Sequence, residues 1–400
     1  MKILHVQAQL PAKTGSGVYF SNLIKGLKKY DQACVYGTFG DFSYDLIPQE
    51  KQYTVKFPNQ DLAFSLPGMS DIMPYESTIY GEMTEEMIAA WQKAFRKIVK
   101  QAVAEFQPDV IFCHHLWFLT SLVRAEFPEL PIFAFCHGTD IRQARQHPHL
   151  LERYVTNLDQ LDRVFALSHL QIQDIQTVYQ IPKDKITVLG GGFDPEIFYP
   201  VEKTHKETID LIYAGKISAA KGTFALAQAF EKISQQHSEV HLHLIGHAAE
   251  DAQEHLAPYI GNPQLHLYNV ANQKLLADEF RKGDIFVLPS FFEGLGLVAI
   301  EALACDLRVV VTEIPALQEQ LGKTVNDSGI ISYVPLPRMH NQDEPVAEDL
   351  PQFYQALGAA LEQQILAVKE NKKIPTEIAT EILKSSWPQL ISKVEEYLLF

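Results

Sequence analysis

Cysteine is scarce in this chain. Cys34, Cys113, Cys136 and Cys305 are the only four in 400 residues, and no C-x-x-C pair occurs. That spacing excludes a disulfide framework and the usual thiolate zinc sites. Cys113 and Cys136 sit in apolar, strand-like runs, where a buried inert thiol is expected. Long apolar runs are also missing, since none approaches the ~18 residues of a membrane helix. The opening residues, MKILHVQAQLPAKTG, hold one short apolar stretch, too brief for a signal-peptide core. A soluble cytoplasmic protein is the expectation from these absences. Positive charge is short as well: 34 Lys and Arg face 49 Asp and Glu, a formal net charge of -15. Such a surface repels phosphate backbones, so no nucleic acid partner is expected. Repeats and low-complexity tracts are absent, which argues against a solenoid or a largely disordered chain.

What the chain does have is apolar content, 46% over 400 residues. That is more than one core can use, because single cores stop growing near ~250–300 residues. Short β-branched and aromatic runs recur between helical patterns. The first half holds KILHVQA (2–8), ACVYGTF (33–39), QYTVKF (52–57), DVIFCHH (109–115), PIFAFCHG (131–138), RVFALS (163–168) and KITVLG (185–190). The second half holds LIYAG (211–215), HLHLIG (241–246), QLHLYNV (264–270), DIFVLPS (284–290), LRVVVTE (307–313) and IISYV (330–334). Continuous apolar strands alternating with helices predict parallel sheets covered on both faces. Two such series predict an α/β protein of two doubly wound, Rossmann-like domains. The expected domains are 1–200 and 201–380, with a closing segment 381–400. Residues 194–209 carry two prolines and a charged stretch, which suits a linker. Charge divides there too. Residues 1–200 hold 18 basic and 22 acidic side chains, a balance of -4, and residues 201–400 hold 16 and 27, a balance of -11. Segment 58–82 has no clear period and reads equally as a substrate-facing loop or a surface excursion.

Residues 289–304, PSFFEGLGLVAIEALA, carry the strongest chemical signal. A strand ends, a glycine loop follows, and a helix is predicted to begin near Leu297. Glu293 and Glu301 lie eight positions apart. With 29 Glu in the chain, that spacing arises about twice by chance, so the context carries the weight. Gly294 and Gly296 let the backbone approach a ligand. The helix N-terminus, with the amides of Leu297 and Val298, offers free N–H groups that suit a phosphate. A second signal is YAGKISAAKG (213–222). Here Gly215 ends a strand, and Lys216 and Lys221 bracket a small-residue loop before Gly222. Two cations above a sheet edge could neutralise a diphosphate. Gly15 and Gly17 form a G-x-G near the first strand, but Phe20 stands where a dinucleotide fingerprint needs its third glycine. A loop whose amides face a phosphate fits better. His114, His115 and His137 end strands, and no spacing among them makes a zinc site. Helix 89–106 places Trp91, Phe95, Ile98, Ala102 and Phe106 on one stripe and Lys93, Arg96, Lys97 and Lys100 elsewhere. A sheet-covering helix is the expected role. A peripheral contact with an anionic membrane stays open.

Together these motifs resemble the GT-B glycosyltransferases of glycosyltransferase family 4, retaining nucleotide-sugar enzymes. The family's E-x7-E element matches Glu293 to Glu301. Its basic strand-end motif matches Gly215-Lys216 and Lys221-Gly222, with Lys where Arg is commoner. KTGSGVYFSNLI (13–24) resembles the glycine-rich loop after the first strand. FCHGTD (135–140) falls at a strand end of the first domain, GGGFDPEIFYP (190–200) resembles the interdomain segment, and SSWPQLISKVEEYL (385–398) resembles the closing helix. The chain departs from the pattern at Asp306, where Gly is usual, at Arg308, where Pro is common, and in TEIPALQE (312–319), which lacks a glycine pair. Those departures bear on donor selectivity.

The resemblance implies two domains facing a cleft, with the acceptor on the first and the donor on the second. His137 would contact the transferred sugar, Glu293 its hydroxyls and Glu301 the nucleotide ribose. Lys216, Lys221, Gly215, Gly294, Gly296, Leu297, Val298, Gly15 and Gly17 would hold the diphosphate. His114 or His115 would line the acceptor site. No metal is expected, since no D-x-D occurs, and no cofactor beyond a UDP-, GDP- or ADP-sugar as co-substrate. The acceptor would be a sugar, a lipid-linked molecule or another small molecule. An epimerase, a phosphorylase and a non-catalytic nucleotide-sugar-binding protein remain alternatives.

Overall fold

The computed structural model describes residues 1–398 except 72, 204, 205, 249 and 341–343. Fifteen strands are named here in chain order among the described residues. They are β1 (Lys2–Gln7), β2 (Asp31–Phe39), β3 (Gln52–Phe57), β4 (Pro67–Gly68), β5 (Thr78–Ile79), β6 (Val110–His114), β7 (Ile132–Phe135), β8 (Arg163–Ala166) and β9 (Ile186–Val188). There follow β10 (Ile209–Ala214), β11 (Val240–Ile245), β12 (Leu265–Tyr268), β13 (Ile285–Leu288), β14 (Arg308–Thr312) and β15 (Ile331–Val334). The chain divides into two compact units, Met1–Gly190 with Ile391–Phe400, and Gly191–Leu390.

The first unit holds a parallel seven-stranded sheet, ordered β3-β2-β1-β6-β7-β8-β9. Its central strands are buried along almost their whole length, β6 as five buried residues in a row. Such strands need helices on both faces, and their continuous apolar runs follow from that need. At the edge, β3 alternates, with Tyr53, Val55 and Phe57 buried and Thr54 and Lys56 exposed. Helix Glu85–Phe106 covers the buried face of β3, burying Ile88, Trp91, Phe95, Val99, Ala102 and Phe106. Val99 takes the core position expected of Ile98, which is only partly buried. The apolar stripe is therefore spent inside the unit. Of the basic face, Arg96 and Lys100 pair with Glu126, while Lys93 and Lys97 are exposed. None of the described helices is long and apolar enough to cross a membrane.

Segment 58–82 is packed rather than free. Leu62, Leu66, Met69 and Tyr80 are buried, and β4 pairs with β5. The chain's last described residues also join this unit. Ile391 fills the space beside Gly26, Lys29 pairs with Glu395, and Thr187 Oγ1 donates to the Tyr397 hydroxyl at 3.0 Å.

The second unit holds a six-stranded parallel sheet, β12-β11-β10-β13-β14-β15. Both sheets reverse their order of growth once, at β1/β6 and at β10/β13. Open α/β sheets bind ligands at the carboxyl ends of strands beside such a reversal. The stretch expected as a linker, 194–209, falls inside the second unit, which begins at Gly191. Phe193 and Phe198 lie in the second unit's core, and Phe193 forms a bridge with Ser386.

Two departures noted in the sequence have structural reasons. Asp306 has a φ of 65°, a left-handed turn that glycine adopts at least cost and Asp tolerates. Arg308 is buried at the start of β14, donating to Gln364 Oε1 (2.6 Å), the Lys372 carbonyl (3.0 Å) and the Gly329 carbonyl (2.9 Å). It ties the sheet to helix Leu350–Lys369 and to the turn before β15. Arg308→Met would leave Gln364 Oε1 and the Lys372 carbonyl without a donor and take one of two donors from the Gly329 carbonyl, which Gln364 also reaches at 3.2 Å. Each orphaned acceptor costs about 1 kcal/mol or more. Urea unfolding followed by circular dichroism is expected to show the second unit destabilised by about 2–4 kcal/mol.

Candidate functional site

In the second unit, two loops meet beyond the reversal at β10 and β13. The first runs from Gly215 through Lys221. Tyr213, buried in β10, turns it by donating its hydroxyl to the Lys216 carbonyl at 2.7 Å. A short turn of 3-10 helix, Ala219–Lys221, ends at Gly222 with φ 66°. A Cβ at Gly222 would lie 1.9 Å from the Pro289 carbonyl oxygen, so glycine is required by both conformation and space. Phe291 N–H donates to the Ala220 carbonyl at 3.0 Å and locks the second loop onto the first.

That locking brings Lys221 and Glu293 together. Lys221 Nζ lies 2.7 Å from Glu293 Oε1, and Ser290 Oγ donates to the same oxygen at 2.9 Å. Thr312 of β14 in turn donates to the Ser290 carbonyl at 2.6 Å. Both charged side chains are partly buried, 33% and 18% exposed, so their attraction is screened less than that of a surface pair. Lys216 is exposed and makes no ion pair among the described residues.

Helix Leu297–Ala304 begins where the sequence predicts, with Gly296 as its N-cap at φ 74°. Ala299 N–H already bonds to the Gly296 carbonyl. The amides of Leu297 and Val298 precede it in the first turn, where a helix leaves donors free. Gly294 is exposed, with open space where a Cβ would stand. Glu301 sits one turn into the helix. Burial pushes its carboxyl up to about 8, and the carboxyl makes no hydrogen bond or ion pair among the described residues.

In the first unit, His114, His115 and His137 gather at the ends of β6 and β7. His114 Nδ1 and His137 Nε2 are 3.1 Å apart, and the His115 and His137 rings are centred 4.7 Å apart. Tyr19 meets His137 edge-on at 5.2 Å. Burial holds His137 down at about 3, and burial with neighbouring imidazoles holds His114 and His115 far below the usual range. The cluster is therefore uncharged at neutral pH. His115 has a φ of 71°, uncommon for a bulky residue, and neither ring nitrogen has a partner among the described residues.

Asp140, fully buried, fastens this cluster. Its Oδ2 accepts from Leu116 N–H (2.9 Å) and His137 N–H (3.3 Å), clamping one strand end to the other. The sequence reading missed Asp140 and Ser290. The signals were an Asp three residues after His137 and a Ser at the end of β13, each too common to stand out.

Gly17 is corrected. Gly15–Gly26 is a helix, not a loop, and Thr14 Oγ1 already accepts the Gly17 N–H at 3.0 Å. A Cβ at Gly17 would lie 2.6 Å from the Ala12 backbone nitrogen, so this glycine serves close packing. Gly15 is exposed at the helix start. The structure thus joins Lys221, Glu293, the Gly222 turn and the Leu297 helix end in the second unit. The three histidines and Gly15 belong to the first. No group of three or more potential metal ligands occurs among the described residues.

Glu301 gives a pH prediction. Its carboxyl is harder to ionise folded than unfolded, so its effect on stability is absent below about pH 4.5 and grows as pH rises towards 8. Glu301→Gln is expected to remove a loss on the order of 4 kcal/mol between pH 5 and pH 9. Urea midpoints of both proteins across that range check it.

Residues 196–337 match the family model described as "Glycosyl transferases group 1", and residues 83–197 match "Glycosyltransferase Family 4". A D-inositol 3-phosphate glycosyltransferase of Pseudarthrobacter chlorophenolicus is 26% identical over 178 residues, covering 41% of this chain and 42% of that protein. The chain spans about half the length of the curated relatives it matches. Sucrose-phosphate synthase from Thermosynechococcus elongatus superposes with a TM-score of 0.71 at 16% identity, covering 99% of this chain and 98% of that one. An Anabaena protein, HepE, solved in complex with UDP and glucose, gives 0.68 at 14% identity, covering 100% and 99%. At such identities the likeness establishes the two-domain GT-B fold.

Proposed function

Because the chain belongs to the family 4 glycosyltransferases of GT-B fold, we propose that it moves a glycosyl group from a nucleoside diphosphate sugar to an acceptor hydroxyl, with retention at the anomeric carbon. The observation that carries this reading is the Lys221–Glu293 pair beside the Leu297 helix end, at the sheet reversal of the second unit. When the donor bond breaks, negative charge develops on the leaving diphosphate. Lys221, Lys216 and the amides of Leu297 and Val298 are fixed donors that stabilise it. Gly215, Gly294 and Gly296 leave the backbone close to the ligand. Glu293 accepts from hydroxyls of the transferred sugar, and Glu301 from the ribose. A front-face displacement, guided by the leaving phosphate, accounts for retention without a carboxylate nucleophile.

The first unit takes the acceptor. His137 contacts the transferred sugar as a neutral imidazole, and His114 and His115 face the acceptor. The donor is a UDP-, GDP- or ADP-sugar, no metal or further cofactor takes part, and the product serves glycan, glycolipid or cell-surface polysaccharide synthesis. A cytoplasmic enzyme, peripheral at the inner membrane face through Lys93 and Lys97, fits this role.

Two measurements test the reading. Binding of UDP-, GDP- and ADP-sugars, followed by release of free nucleotide on adding acceptor, is expected for one nucleotide. Lys221→Ala and Glu293→Ala are expected to lower turnover at least ~100-fold; full activity in either removes that residue from the mechanism. Calorimetry in buffers of different ionisation enthalpy probes Glu301. Hydroxyls donating to its carboxyl favour the ionised form, so donor binding near pH 7 is expected to release up to about one proton. Glu301→Gln should abolish that release.

A further inference from the structure

The cation proposed for the diphosphate has an anionic partner within the protein itself. Lys221 Nζ lies 2.7 Å from Glu293 Oε1. This pairing is built in rather than incidental. The Gly222–Pro289 approach and the Phe291–Ala220 hydrogen bond fix the two loops at one separation. Ser290 Oγ holds the carboxylate from the other side at 2.9 Å. Lys216 is exposed and makes no ion pair among the described residues, and Glu301 lies a turn into its helix.

We infer that Glu293 competes with the diphosphate for Lys221, so that the site retains a nucleotide sugar but sheds the free nucleotide. This rests on the donor-site reading above. A phosphate arriving at Lys221 must loosen the ion pair or share the ammonium with a carboxylate, and two anions near one cation repel. A sugar changes the balance. Its hydroxyls donate to Glu293 and draw the carboxylate off the phosphate's cation, so both residues then contribute attraction. Once the sugar has left, Glu293 has Lys221 and Ser290 to accept from among the described residues, and it returns against the diphosphate. One side chain thereby recognises the sugar and promotes product release.

The inference makes opposite predictions for two ligands of one protein. Binding is measured by calorimetry for UDP with UDP-glucose, GDP with GDP-mannose, and ADP with ADP-glucose. For the pair that binds wild type, Glu293→Gln should tighten the free nucleotide about three- to tenfold and weaken the nucleotide sugar. The gain should vanish in the Lys221→Met background, since the competition then has no object. Ser290→Ala, which frees the carboxylate without removing its charge, should change nucleotide affinity less than Glu293→Gln. If Glu293→Gln binds the free nucleotide equally or more weakly, the competition is overturned while the donor site stands. A gain that persists without Lys221 also overturns it. If no nucleotide binds wild type, the donor-site reading falls and this inference with it.

Discussion

The second unit's chemistry depends on one close approach. Gly222 lies so near the Pro289 carbonyl that no side chain fits between the two loops. Everything argued for the candidate donor site follows from that contact. It sets Phe291 N–H against the Ala220 carbonyl, and it brings Lys221 to Glu293 across 72 residues of sequence. A longer loop would leave a lysine in solvent, where its charge is worth little. Held here, beside a helix N-terminus and a buried sheet edge, the same charge acts on whatever sits at the reversal of the sheet.

The fold was legible because its parallel sheets need apolar runs. Buried on both faces, β6, β13 and β14 had to be nearly continuous in β-branched and aromatic residues. Helix starts were legible where a glycine preceded an apolar run, as at Gly296 and Leu297. Less legible was anything set by tertiary contact. Val99 rather than Ile98 faces the core, because the helix is rotated by its packing on β3. Residues 194–209 read as a linker by their prolines, yet Phe198 within them is buried in the second unit's core. Gly17 looked like a ligand-facing glycine; only the coordinates reveal that Thr14 has claimed its amide.

The proposed site rests on residue types that are legible in the sequence, and its state is not. E-x7-E and the two lysines mark the residues, and no pattern marks that one pair is already joined. Nor does a sequence say whether a histidine is charged. The cluster at β6 and β7 is neutral because it is buried among Tyr19, Phe20 and Phe135. A neutral imidazole can hydrogen-bond a sugar hydroxyl without attracting a phosphate. This separates its chemistry from that of the lysine loops. Asp140 belongs to the same logic. As a buried carboxyl accepting backbone N–H groups, it holds two strand ends in register, and its charge is met by hydrogen bonds rather than by a cation.

Net charge argues against the donor site proposed in the second half of the chain. A balance of -11 over residues 201–400 should repel a nucleoside diphosphate, and at long range it does. Yet screening erases most of that repulsion beyond ~8–10 Å, whereas fixed donors within hydrogen-bond reach are barely screened. Several of the acidic side chains are also paired locally. Asp210 and Asp284 are paired with Lys206, Glu239 with Lys369, and Asp349 with Arg338. Of the carboxylates proposed for the site, Glu293 is held by a lysine and Glu301 is pushed by burial up to about 8. An acidic domain can therefore offer an anion a site with little free negative charge. The cost falls on Glu293, whose carboxylate contests the phosphate for Lys221.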